Sequence, residues 1–240
     1  MTNVLLMESS ERSLSPRQQH AFNAALCLIA LAFTAVLTSS SGVYFNRFFG
    51  AVHPLLVVAV ASFLGAVALW VLSHFGFTII MGRGELRGLG LSAVYAAALA
   101  VAIIIADVVI RYPRDLNVPL PQALLFYPAI GLVAEVAFHL LPLAFLLPAL
   151  NLIAGRLGRE RVVWISILLT AVAEPTFQVI FEGTGSTLGN MYTWLHIFVI
   201  AVLQLYVFRR FDFASMYSFR LIYYACWHIL WGTIRLSVLF

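Results

Sequence analysis

Four ionisable side chains stand in stretches that are otherwise apolar. Glu135 and His139 occur in GLVAEVAFHLLP, Glu174 in LLTAVAEPTFQ and His228 in YYACWHILWG. An ionisable group at membrane depth costs about 3 kcal/mol or more and normally faces the interior of a helix bundle. Two carboxylates and two imidazoles in a low-dielectric cavity suit several kinds of chemistry. A carboxylate acts as general base on water. A second acid or a histidine stabilises an oxyanion or protonates a leaving group. The same side chains are good ligands for a divalent metal such as zinc, with His139, Glu174 and His228 as the ligating set. Proton relay in a carrier and polar contacts between helices are the remaining uses.

The composition fixes what must position them. The chain has 240 residues, 62% hydrophobic and 10% charged, with a mean hydropathy of +0.98. Soluble domains carry about 25% charged residues. A soluble enzyme, a disordered chain and a disulfide scaffold are excluded on this ground. All 14 basic residues are arginine, so lysine Schiff-base chemistry, and with it a retinal protein, is excluded. There is no basic run and no nucleic-acid motif. Cys27 and Cys226 lie in apolar segments and read as ordinary buried thiols.

The fold class expected is an all-α polytopic transmembrane bundle of about seven spans, near 21–39, 52–75, 88–110, 121–150, 161–182, 190–208 and 214–237. Each is long enough to cross roughly 30 Å of hydrocarbon at about 1.5 Å per residue. Residues 1–20 form a polar cytoplasmic segment with Glu8 and Glu11 in it, which argues against a cleaved signal peptide. Residues 21–240 form one transmembrane domain. Pro128, Pro142 and Pro148 predict a kink in the fourth span. Pro175 predicts a disturbed turn beside Glu174. The glycine-rich stretches near 82–90 and 182–190 read as turns, because neither lies between a strand and a helix.

Arginines orient this bundle. Arg12, Arg17, Arg83, Arg87, Arg156, Arg159, Arg161, Arg209 and Arg210 fall on one side, and Arg47, Arg111, Arg114 and Arg235 on the other. Nine against four places the N-terminus in the cytoplasm. Arg220, near the start of the seventh span, is left out of this count. The topology brings Glu135, Glu174 and His228 to a common depth, roughly 20 Å from the cytoplasmic side, with His139 one turn nearer. Glu135 and His139, at i and i+4, share a helix face, as do Glu174 and Gln178. Asp107 reads as the helix-end partner of Arg111. His196 reads as interfacial, beside Tyr192 and Trp194. Gln204 lies alone, and Tyr224 is placed to hydrogen-bond His228.

These motifs resemble the CPBP family of intramembrane proteases, which includes CAAX prenyl endopeptidases and bacteriocin-processing enzymes. Ala134-Glu135-Val136-Ala137-Phe138-His139 is similar to the family's EELLFR, SILLTAVAEP over Ser166–Pro175 to SxLLFALxHP, and Trp227-His228-Ile229-Leu230-Trp231-Gly232 to LHALWN. The resemblance covers about residues 120–235. If His139 matches the family's arginine, Glu135 aligns with the second glutamate and Ala134 takes the place of the first; if Glu135 matches the first glutamate, the spacing to His139 is one residue short. Thr170 stands for phenylalanine, Glu174 for histidine and Gly232 for asparagine. The resemblance implies hydrolysis of membrane-associated protein or peptide substrates. In that reading Glu135 activates water, His139 and His228 stabilise the oxyanion or bind metal, and Glu174 is a second acid or ligand. The alternatives are a non-catalytic membrane module that binds a partner protein and, third, a proton-coupled carrier. The lipid bilayer is the expected surrounding and nucleic acid is not a partner. High arginine and alanine content without lysine suggests a GC-rich prokaryote and its plasma membrane.

Overall fold

The first helix begins at a reciprocal polar cap. The Gln18 N–H donates to Ser15 Oγ (3.4 Å) while the Ser15 N–H donates to Gln18 Oε1 (3.1 Å), with Pro16 at the first helical position. Serine followed three residues later by glutamine satisfies two orphan amides, and proline there has no amide to lose. The helix therefore starts at Pro16, five residues before the apolar stretch.

The computed structural model describes residues 14–41, 43–81, 86–182 and 186–240. Helices dominate, and there is no strand among the described residues. They are α1 (Pro16–Ser41), short α2 (Val43–Phe49), α3 (Pro54–Ser73) and α4 (Leu86–Ile110). α5 joins Ala123–Ala134, the π-helical turn Glu135–Leu140 and Leu141–Ala154. α6 (Arg159–Ala171) and α7 (Ala173–Glu182) meet at Val172, and α8 spans Thr187–Arg210. α9 joins Phe213–Tyr224, a second π-helical stretch Ala225–Trp231, and Gly232–Val238. Six helices are long and apolar enough to cross a membrane, with α6 and α7 counted together. The seventh expected span, α9, is a continuous helix whose apolar character is diluted by Arg220, His228 and Arg235. Arg12, Arg83 and the acidic residues of the N-terminal segment lie outside the described residues, as do parts of both glycine-rich turns.

The prolines act as expected in kind, though not in form. α5 does not break. It widens into a π turn immediately before Pro142, which has no N–H, and Leu141 N–H donates to Val136 O five residues back. Pro175 accounts for the interruption at Val172, where the α6 and α7 ladders part. Inside, Val58, Leu72, Leu140, Leu143, Ile167, Leu205 and Phe208 form the main core between α3, α5, α6 and α8. α3 passes so close to α5 that a Cβ on Gly65 would lie 2.7 Å from Val136 Cγ2.

Polar links identify the two faces. On one, Ile79 N–H donates to Gln19 Oε1 (2.9 Å), Met81 N–H to Asp212 Oδ2 (3.0 Å) and Arg209 to Glu160 (2.8 Å). On the other, Arg47 Nη1 donates to Asp115 O (3.1 Å). This agrees with the side on which the sequence places each connection.

Two expectations fail here, for one reason. Asp107 does not pair with Arg111, whose φ of +56° turns the chain out of the helix. It pairs with Arg235 of α9, which donates from Nε to Oδ2 (2.7 Å) and from Nη2 to Oδ1 (2.8 Å). Trp231 Nε1 (2.7 Å) and the Tyr112 N–H (2.9 Å) donate to the same carboxylate. Arg235 is thus a buried ion-pair partner rather than a charge at the membrane surface. Its spare donors reach Tyr112 O (2.6 Å) and Pro113 O (2.8 Å). Removing one member of a buried, hydrogen-bonded pair leaves the other uncompensated. Asp107→Ala should lower stability by about 3–5 kcal/mol, read as a fall in the unfolding midpoint of the detergent-solubilised protein.

Candidate functional site

Three of the four expected site residues meet at one point. Glu135 and His139 project from the π turn of α5, and His139 Nδ1 donates to Glu135 Oε2 (2.5 Å). A π turn adds a residue to the ladder and re-aims the side chains that follow it. Glu174, at the start of α7, brings Oε2 to 3.4 Å from His139 Nε2. All three are buried. Gln178 Nε2 donates to Glu174 Oε1 (3.4 Å), the contact expected from i+4 spacing.

The centre of the cluster is a residue the sequence reading left uncounted. Arg220 of α9 lies between the carboxylates. Its Nε donates to Glu135 Oε1, Nη1 to Glu174 Oε1 (2.8 Å) and Nη2 to Glu174 Oε2 (2.8 Å). Nη1 also reaches the Tyr224 hydroxyl (3.1 Å), and Nη2 reaches Gln204 Oε1 (3.4 Å). Gln204 Nε2 donates in turn to Glu135 Oε1. The planar guanidinium has five donors in a fixed fork, and every one has a partner here. One side chain therefore ties α5, α7, α8 and α9 together. In this cluster His139 Nε2 has no hydrogen-bond partner.

His228 does not join the cluster. Its Nδ1 lies 2.8 Å from Oδ1 of Asn117, which belongs to the connection between α4 and α5. Its ring stacks on Tyr127, with centroids 4.8 Å apart and planes 23° apart. Tyr224 meets it edge-on at 5.0 Å and gives its hydroxyl to Arg220 rather than to the imidazole. An amide oxygen can only accept, so Nδ1 carries the proton and Nε2 keeps a lone pair. Nε2 has no hydrogen-bond partner among the described residues.

A cavity of about 500 Å³ links the two groups. Its inner end is lined by Glu174, Gln178, Gln204 and Arg220, and its wall by Tyr224 and His228. Exposed residues of α2 and the 113–119 segment, among them Val43, Arg47 and Asp115, line its other end. The cavity therefore opens on the face opposite the Gln19–Ile79 link. Glu135 and His139 lie behind Arg220, outside the lining. His196, expected at an interface, is instead buried, donates to or accepts from the Tyr223 hydroxyl (3.1 Å) and lines the cavity.

The donor set does not fit a metal at His139, Glu174 and His228. Both carboxylates are bound to a guanidinium, whose charge repels a cation from that point. His228 is held elsewhere by Asn117. No group of three His, Cys, Asp or Glu side chains is arranged for a metal among the described residues. The sequence reading also missed Arg220, Gln204 and Asn117. An unpaired arginine opposite two buried acids was a usable signal for Arg220; nothing local marks Asn117. No protein-family model matches the chain, and no curated protein or solved structure matches it either.

The cluster predicts strong coupling. Arg220→Leu strands two buried carboxylates and should cost about 3–5 kcal/mol. Adding Glu135→Gln and Glu174→Gln should recover most of that loss, because coupled sites are not additive. Thermal unfolding of the single and triple variants in the same detergent checks this.

Proposed function

We propose that the chain is a membrane-embedded hydrolase acting on membrane-associated peptides, as its similarity to the CPBP proteases implies, with His228 as its working base. The observation carrying this reading is His228, which lines a cavity open to one face and whose Nε2 has no hydrogen-bond partner among the described residues. Water held at Nε2 gives up a proton to it as the oxygen attacks a substrate carbonyl. The protonated imidazole then returns that proton to the leaving amine. Tyr224 stands beside the ring. Its oxygen already accepts from Arg220, so its own hydroxyl hydrogen is free for the developing oxyanion.

The base therefore moves from Glu135 to His228. Glu135 accepts from Arg220, Gln204 and His139 and lies behind the cavity, which leaves it poorly placed to touch water. Glu135, His139 and Glu174 act instead by holding Arg220, and through it Tyr224, in place. In this reading the protein sits in a prokaryotic plasma membrane with its N-terminal side facing the cytoplasm. With Arg235 buried, the arginine balance that supports this orientation becomes nine against three.

A second reading is a non-catalytic module that binds a membrane partner in the same cavity, favoured by the complete pairing of both carboxylates. Purified protein in proteoliposomes, offered membrane-anchored fluorogenic peptides, separates the two. The wild-type protein should cleave, and His228→Gln should lose roughly 100-fold or more of the rate with an unchanged unfolding midpoint. Cleavage by His228→Gln at the wild-type rate overturns the role of His228. Peptide binding without cleavage by the wild-type protein establishes the second reading.

A further inference from the structure

We infer that Asn117 is a positioning residue for His228, delivered to it by the segment between α4 and α5 and seated by the absence of a side chain at Gly232. The inference rests on the hydrolase reading for its effect on rate, but not for its effect on the imidazole.

Asn117 lies in no helix, and its place is set from both sides. Upstream, Arg235 holds the carbonyls of Tyr112 and Pro113, and Asp107 holds the Tyr112 N–H. Downstream, the Val118 N–H donates to the Tyr127 hydroxyl (3.0 Å). Arg47 of α2 fixes the carbonyl of Asp115 between them. Tyr127 thus serves twice. Its hydroxyl pins the segment beside Asn117, and its ring lies flat on His228.

Gly232 supplies the room. A Cβ built there would lie 2.7 Å from Asn117 Nδ2, 2.9 Å from Cγ and 3.1 Å from Cβ. The backbone of Gly232 is ordinary helix, with φ −53°. Glycine is therefore needed for space and not for conformation, although it costs about 1 kcal/mol against alanine in a helix. The space is filled by the amide that meets His228. A histidine whose Nδ1–H is held by a carbonyl oxygen keeps one tautomer and one ring orientation, with Nε2 directed to its substrate. The buried Asp107–Arg235 pair gains a purpose on this account: it anchors the segment that carries Asn117.

The test uses selectively ¹⁵N-labelled histidine in the full-length protein, with hydrolysis of the fluorogenic peptides measured on the same samples. In the wild-type protein His228 should show protonated Nδ1 and bare Nε2 at neutral pH. Asn117→Ala should give a mixture of tautomers and a roughly 10–100-fold slower reaction. Asn117→Asp keeps an acceptor oxygen and should restore both. Gly232→Ala should reproduce Asn117→Ala, and combining the two should add little. Asn117→Ala with the wild-type tautomer overturns the inference, whatever its rate. A shifted tautomer in a protein that hydrolyses no peptide supports the positioning role while removing the hydrolase reading. Misfolding of Asn117→Ala leaves Asn117→Asp to decide: with a wild-type unfolding midpoint it must show the wild-type tautomer, and any other tautomer overturns the inference.

Discussion

Four helices of this bundle are arranged about one guanidinium. Arg220 is buried between Glu135 and Glu174, and an arginine in that position is tolerable only if its partners meet it in its own plane. The carboxylates come from two helices, the amide of Gln204 from a third, and Arg220 from a fourth. Rotating any of them by a residue would leave charge unpaired in a low-dielectric interior, a penalty larger than one apolar contact recovers. The cluster specifies helix register in a way that the interchangeable alanine, valine and leucine faces around it do not. This is the sense in which a paired ionic centre adds specificity more than stability.

The same constraint divides the labour of the site. Side chains behind Arg220 hold it, and those in front of it line the cavity. Glu135 and His139 belong to the first group and His228 to the second, although all are polar residues at similar depth. Depth along the membrane normal therefore does not separate the side chains that hold Arg220 from those that line the cavity; position relative to the guanidinium does. Tyr224 joins the two groups, with its oxygen on Arg220 and its ring against His228.

The sequence made much of this legible. Apolar lengths located the helices within a few residues, because a helix needs about 20 apolar residues to cross the hydrocarbon. The i, i+4 pairs Glu135–His139 and Glu174–Gln178 were readable because helix geometry fixes them locally. Arg220 was not, because an arginine near the end of an apolar stretch looks the same whether it turns towards a headgroup or a buried acid. Arg235 was misread for that reason, and Asp107 with it. The choice between such orientations depends on how helices distant in sequence rotate against one another, which no local pattern records. Asn117 was invisible for a further reason. Its role depends on a missing atom in another helix, and Gly232 reads in isolation as a weak helix former.

The one-sided opening of the cavity has a thermodynamic corollary. α3 and α5 are in close contact at Gly65 and Val136, and the inner end of the cavity is closed by the Glu174–Arg220 pair. A water-soluble occupant thus equilibrates with a single aqueous compartment. For an uncharged occupant, neither a proton gradient nor a voltage across the bilayer performs work on it in this conformation. The chemical potentials of one side of the membrane alone decide how often the site is filled.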